Sequence, residues 1–241
     1  MKLANIWKEE PHSLSVFIMA YNEVDNLEFV FNEVHEECER SQRPYEIMIV
    51  DDGSMDGTSD LADRLASTVP QARVIHHGAN KGIGQVLRTG FDASSNDLVT
   101  FFPADGQYPA EIINQFLPHM PDYDIVLGYV PRRDSAFMAK LLSRCERILL
   151  HMLFGRIPPF QGIYMFRRSL LRLFPLTSMG RGWIIQMELI IRAKRAGCRM
   201  TSLPTGMRRR LSGESKARNF KSVIANMKQV FQLFWRLRWS R

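Results

Sequence analysis

Short apolar runs alternate with amphipathic stretches through the first half of the chain. SVFIMA (15–20), EIMIV (46–50), RVIHH (73–77), DLVTFF (97–102) and DIVLGY (124–129) have the length and the β-branched or aromatic content of strands. Between them lie helical patterns: one from about Val24 to Arg40, one in DGSMDGTSDLADRLAS with Asp56 or Thr58 as cap, and one in GIGQVLRTGFDAS. Strand, helix, strand at this spacing predicts βαβ units and a mainly parallel, Rossmann-like α/β sheet flanked by helices. Ligands of such sheets sit beyond the carboxyl ends of the strands. The polar residues gather there each time: Tyr21, Asn22 and Glu23 after the first strand, Asp51 and Asp52 after the second, Asn80 and Lys81 after the third, Asp105 and Gln107 after the fourth.

The second half changes character. FMAKLLSRCERILLHMLFG (137–155) is strongly helical, with Met138, Leu141, Leu142, Cys145, Leu149 and Met152 on one face. MRRRLSGESKAR (207–218) reads as a polar, basic loop. The tail carries Phe220, Val223, Ile224, Met227, Val230, Phe231 and Phe234 at helical spacing and ends in FWRLRWSR. The expected organisation is one domain over 1–218, with halves at about 14–130 and about 131–218. A basic amphipathic helix follows at 219–241.

Charge sharpens this division. Residues 1–130 hold 8 Lys and Arg against 21 Asp and Glu, whereas residues 131–241 hold 24 against 4. The second half is therefore expected to meet an anion, whether lipid, phosphate or nucleic acid, unless the two halves only neutralise one another. Residues 206–241 alone hold ten Lys and Arg and one acid, Glu214. A basic helix with Trp235 and Trp239 near its end fits a membrane surface; the same apolar stripe also fits packing on the protein's own core. No run reaches the roughly 18–20 apolar residues of a membrane span, and the first residues lack the apolar core of a signal peptide. Three widely spaced cysteines speak against a disulfide framework or zinc site. These features point to the cytoplasmic side, with reduced thiols.

The rim residues leave alternatives open. Asp51 and Asp52 can accept from sugar hydroxyls or base N–H groups, or one of them can cap the following turn. Gly82 and Gly84 can serve a phosphate or simply a tight strand-to-helix turn. FFPADGQYP (101–109) offers Asp105 and Gln107 to a hard cation, yet Pro103 stands where a second carboxylate would help.

In combination, AYNE (20–23), VDDGSMDGT (50–58), NKGIGQVLRTGF (80–91), ADGQYP (104–109) and RRLSGESK (209–216) resemble the family 2 glycosyltransferases of GT-A fold, nearest to the dolichyl-phosphate mannose synthase group of polyprenyl-phosphate glycosyltransferases. The resemblance runs from about 14 to 218 and implies a GT-A glycosyltransferase domain over 1–218, with a nucleotide-sugar half at about 14–130 and an acceptor half at about 131–218. It implies an inverting hexosyltransferase that moves a sugar from a UDP- or GDP-linked donor to a polyprenyl phosphate at the cytoplasmic membrane face. It implies no nucleic-acid partner. A membrane-protein partner also fits a chain without spans of its own. The alternatives are the same fold with another glycan or lipid acceptor, or a non-catalytic nucleotide-sugar-binding subunit.

Carried onto this chain, the resemblance gives the donor Ala20, Tyr21, Glu23, Asp51, Asp52, Lys81, Arg88 and Lys216. Asp105 and Gln107 would hold Mg²⁺ or Mn²⁺. Arg132, Arg133, Ser135 and Ser215 would meet the acceptor phosphate. Asp105, Arg132 and Arg210 would lie nearest the reacting groups. Two departures stand out: Pro103 replaces the first metal carboxylate, and Pro158 stands four residues before Gly162, where relatives often carry Asp. Glu188 matches a position often acidic in the family, or pairs with a nearby arginine.

Overall fold

The computed structural model describes residues 12–131, 152–155, 157–178, 182–210 and 230–237. Arg132, Arg133, Ser135, Ser215, Lys216 and most of the 137–155 and 219–241 segments lie outside the described residues.

Seven strands form one sheet in the order β3-β2-β1-β4-β6-β5-β7. The first four are β1 (Leu14–Ala20), β2 (Tyr45–Asp51), β3 (Ala72–His76) and β4 (Leu98–Pro103), all mutually parallel where they pair. The connecting helices are α1 (Leu27–Arg40), α2 (Thr58–Thr68) and α3 (Ile83–Ala93). This half follows the hydrophobic pattern closely because β1, β2 and β4 are buried on both faces and read as continuous apolar runs, while β3 lies half-exposed at the sheet edge. Helix α1 buries Leu27, Val30, Phe31, Val34 and Cys38, the stripe of an amphipathic helix lying on a sheet.

Beyond β4 the sheet departs from simple alternation. β5 (Ile125–Tyr129) does not join β4; β6 (Tyr164–Arg167) lies between them, antiparallel to both. β7 (Met200–Pro204) then pairs with β5 in parallel at the edge. A short helix α4 (Ile112–Phe116) precedes β5, while α5 (Ser169–Leu173) and α6 (Ile184–Arg195) lie between β6 and β7.

The C-terminal helical residues 230–237 join a second apolar cluster, in which Val230, Leu233 and Leu237 pack with Phe154, Ile184, Met187 and Ile191. Arg195 donates to the Leu237 carbonyl at 2.8 Å. Phe231 and Trp235, on the other side of the same turns, are exposed, as is Met152, two residues before Phe154. Among the described tail residues, Val230, Leu233 and Leu237 therefore pack on the protein, while Phe231 and Trp235 remain outside. Among the described residues no helix is long and apolar enough to cross a membrane.

Candidate active site

Strand register brings the site together. Ala20 aligns with Asp51, Asp51 with His76, and Met19 with Pro103, so β1 to β4 end at one level and release their loops onto one rim. The β1–α1 loop is then laced to the β2–α2 loop. Asn22, at φ +52, donates its N–H to Ser54 Oγ at 2.9 Å and accepts from the Met55 N–H at 2.9 Å. Asparagine is among the side chains that tolerate this left-handed backbone. The Glu23 N–H reaches Thr58 Oγ1 at 2.9 Å.

Asp51 and Asp52 leave β2 on opposite faces and do different work. Asp51 lines a cleft of about 440 Å³ together with Tyr21, Ser54, Met55, Ser59 and His76. Its Oδ1 accepts from the Ser54 N–H and hydroxyl, and its Oδ2 from Ser59 Oγ at 2.6 Å and His76 Nδ1 at 3.1 Å. Burial alone would raise the Asp51 pKa, but these donors outweigh it and hold the carboxyl below its usual range. Asp52 turns inward. It takes the Lys81 N–H at 2.9 Å, the Gly82 N–H at 2.8 Å and His77 Nδ1 at 2.8 Å, and so shapes the β3–α3 loop instead of facing the cleft.

Gly53 lets the two loops meet. It sits at φ +73, and a Cβ there would come within 2.7 Å of the Ala79 carbonyl carbon and 2.8 Å of Ala79 Cα. Backbone cannot yield as a flexible side chain can. Gly53→Ala is therefore expected to cost about 1–3 kcal/mol or more, read as a lowered thermal midpoint; a midpoint equal to wild type would mean that the loops separate freely.

Two further residues expected at the donor, Ala20 and Arg88, sit differently. Ala20 is buried, and its carbonyl accepts the Asp52 N–H at 2.9 Å. Arg88 points its guanidinium at the Leu176 and Ser178 carbonyls, at 3.1 and 2.7 Å, and ties α3 to the segment before α6. Glu188, fully buried on α6, grips the same segment from the other side through the Thr177 and Ser178 N–H groups and pairs with Arg192 at 2.8 Å. Its observed partners are the Thr177 and Ser178 backbone and Arg192. Lys81 is exposed on the rim, its N–H held by Asp52.

The β4 loop carries Asp105 and Gln107. Pro103 ends β4 at no cost to the ladder. Successive N–H groups face opposite flanks, and Ala104 N–H bonds back to Met19 on β1, so position 103 faces the β6 flank. Pairing with β6 runs through Leu98 and Val99 only. Asp105 Oδ1 accepts the Gln107 N–H at 3.1 Å. Burial pushes the Asp105 pKa up, against the opposing pull of that N–H and of the Arg210 charge. The Gln107 carbonyl accepts the Arg208 N–H at 2.7 Å, which brings the 205–210 strap alongside the loop. From this strap Arg210 pairs with Glu23, and Arg208 pairs with Glu33 at 2.7 Å over the Phe29 ring. Tyr108 packs on Gly162, where a Cβ would lie 2.4 Å from its hydroxyl oxygen.

The donor set at this loop is one carboxylate and one amide oxygen, both hard ligands of the kind Mg²⁺ and Mn²⁺ take. Among the described residues no group of three or more His, Cys, Asp or Glu is placed to hold a metal. An ion here would draw its remaining oxygens from a diphosphate and water.

Sequence reasoning missed His76, His77, Ser54 and Ser59. Their signal was the pairing of DD at the end of β2 with HH at the end of β3 in a parallel register, which sets one Asp–His pair on each face of the sheet.

The profile of Glycosyl transferase family 2 matches residues 15–175. The polyprenol monophosphomannose synthase of Mycolicibacterium smegmatis is 30% identical over 214 residues, covering 83% of this chain and 79% of that one. The dolichol-phosphate mannosyltransferase of Pyrococcus furiosus is 29% identical over 230 residues, or 91% of this chain, which spans only 63% of that relative's length. In fold, the glucosyl-3-phosphoglycerate synthase of Mycobacterium tuberculosis, solved with Mn²⁺, UDP and glucosyl-3-phosphoglycerate, superposes with a TM-score of 0.68 at 21% identity, over 92% of this chain and 78% of that one. The mannosyl-3-phosphoglycerate synthase of Rubrobacter xylanophilus gives 0.69 at 19% identity, over 95% and 76%. With the rim geometry and the match over 15–175 in agreement, the chain belongs to glycosyl transferase family 2.

Proposed function

We propose that this protein transfers a sugar, with inversion, from a nucleotide-diphosphate donor to a polyprenyl phosphate at a membrane surface. The observation that carries the reading is convergence on one rim: the Asp51 cleft and the Asp105 loop follow β2 and β4 on either side of β1, and Arg210 pairs with Glu23 on the β1–α1 loop and sets its charge near Asp105. Tyr21, Glu23 and Asp51 serve the nucleoside, and Lys81 on the open rim serves the phosphates. Asp105 and Gln107 hold a divalent ion. When bound, that ion neutralises the leaving diphosphate. The Arg210 guanidinium compensates the anions that must approach one another.

A phosphate monoester has its second pKa near 6 and is already a nucleophilic anion at neutral pH. The chain therefore needs no general base, only cations to bring two anions together. Arg132, Arg133, Ser135, Ser215 and Lys216 are assigned to the acceptor phosphate on family resemblance. The acceptor class follows the names of the mycobacterial and archaeal relatives; UDP and Mn²⁺ are bound by the mycobacterial fold neighbour. Exposed Phe231 and Trp235, on a tail rich in Lys and Arg, suit an anionic bilayer.

The test is transfer of labelled sugar from UDP- and GDP-linked donors to polyprenyl phosphate in anionic vesicles. Product that partitions into organic solvent, formed only with Mg²⁺ or Mn²⁺, is the expected result. Donor binding with product formed only on a soluble phosphorylated acceptor would replace the lipid by another acceptor.

A further inference from the structure

His76 closes β3 in register with Asp51 and lines the cleft. Its Nδ1 lies 3.1 Å from Asp51 Oδ2, and its Nε2 lies 3.0 Å from Asp63 Oδ1 on α2. A neutral imidazole has one N–H and one lone pair, while a carboxylate only accepts. In either neutral tautomer, one of these contacts sets a lone pair against an anionic oxygen. Both are hydrogen bonds only when both nitrogens carry protons, so the geometry calls for imidazolium.

The neighbouring residue supplies an internal contrast. His77 faces the opposite side of the sheet, with Nδ1 on Asp52 at 2.8 Å and Nε2 2.9 Å from the Thr89 hydroxyl. A hydroxyl donates or accepts, so one proton satisfies both contacts of His77. His76 has no such latitude. The charged groups bearing on it are Asp63 from α2 and Asp51 from β2, and their hydrogen bonds raise its pKa above the ordinary 6.5.

We propose that His76 is a positioning residue of the donor pocket: as imidazolium it ties Asp51 on β2 to Asp63 on α2 and sets a positive charge beside the space a nucleoside diphosphate fills, and its deprotonation loosens that pocket. This rests on the donor-site reading above. Asp51 Oδ2 is shared between Ser59 and His76, so a deprotonated His76 either releases Asp63 or turns its lone pair on Asp51. The first breaks the link from Asp51 to α2, and the second takes from the carboxylate that is to meet the nucleoside one of the donors that fix its orientation.

The sign follows from linkage. A raised His76 pKa means the charged arrangement is complete at low pH and is lost as pH rises through a folded value above 6.5. Uridine and guanosine diphosphates, each with Mg²⁺, are titrated by calorimetry from about pH 7 to about pH 9, a range in which the terminal phosphate is largely ionised. The expected result is a loss of about tenfold in affinity for whichever nucleotide binds, in line with one pKa unit of coupling. Asp63→Asn lets a neutral ring satisfy both contacts and is expected to flatten this profile. Nitrogen-15 spectra of the ligand-free protein at about pH 7 are expected to show both His76 nitrogens protonated.

A neutral His76 in those spectra, a flat wild-type profile, or an Asp63→Asn profile as steep as wild type would each overturn the proposal. Absence of binding by either nucleotide at any pH is a different result. It removes the donor reading and this proposal with it, while the His76 spectra still report the charge independently.

Discussion

Asp105→Asn is expected to cost about two to three orders of magnitude in transfer rate and, in metal-free protein, to raise the thermal midpoint. The two effects share one cause. Burial disfavours the charged Asp105 carboxylate, and neither the Gln107 N–H nor the Arg210 charge restores its ordinary pKa. A carboxyl whose folded pKa lies above its unfolded value holds its proton longer in the native state. Stability therefore falls as pH rises through the window above 3.8, and the ionised group is a net cost at neutral pH. Asparagine keeps the shape and an acceptor for the Gln107 N–H but removes the charge. It also removes the only carboxylate this loop offers a cation, since Pro103 stands two residues earlier. A nucleotide with Mn²⁺ should then raise the wild-type midpoint and leave that of Asp105→Asn nearly unchanged. If Asp105→Asn retains metal-dependent turnover within a few-fold of wild type, the ion is held elsewhere and Asp105 only shapes the loop.

How much of this was legible beforehand depended on where burial was uniform. β1, β2 and β4 are inner strands whose apolar runs have no other use, and β3, though half-exposed at the edge, keeps the β-branched pair Val74 and Ile75 between two helical patterns, so the limits of all four shifted by only a residue or so between pattern and structure. β6 escaped because four residues of IYMFRR carry too little pattern to separate strand from helix. β7 escaped because MTSLP, half-exposed at the sheet edge, lacks the β-branched apolar pair that marks β3 at the other edge. The rim was legible as a set of polar loops, but the direction of each side chain was not. Adjacent aspartates look equivalent in sequence, yet a strand points them to opposite faces, so Asp51 enters the cleft while Asp52 enters the fold. Arg88 fell near the donor by motif, and helix geometry instead aimed it at the 176 and 178 carbonyls.

That difference between neighbours gives the second large effect. Asp52→Ala is expected to destabilise the protein by about 3–5 kcal/mol, a drop in thermal midpoint on the order of 10 °C for a chain of this size. Its side chain is almost wholly buried, and its oxygens receive two backbone N–H groups and the ring of His77, itself buried. Alanine offers none of these donors an acceptor, and the confined space around His77 leaves little room for water to replace one. The β3–α3 loop would lose the anchor that places Lys81 on the rim. Asp52→Asn, which still accepts from one or two of the donors, should recover roughly half of the loss. Asp51→Ala should behave in the opposite sense. The partners of Asp51, namely Ser54, Ser59 and His76, line an open cleft where water can take over its hydrogen bonds, so its midpoint should fall less while nucleotide affinity falls more. Melting curves and nucleotide titrations on the two alanine variants separate the roles. An Asp52→Ala protein that melts like wild type but loses nucleotide binding would place Asp52 in contact with ligand and overturn its assignment as the anchor of the loop.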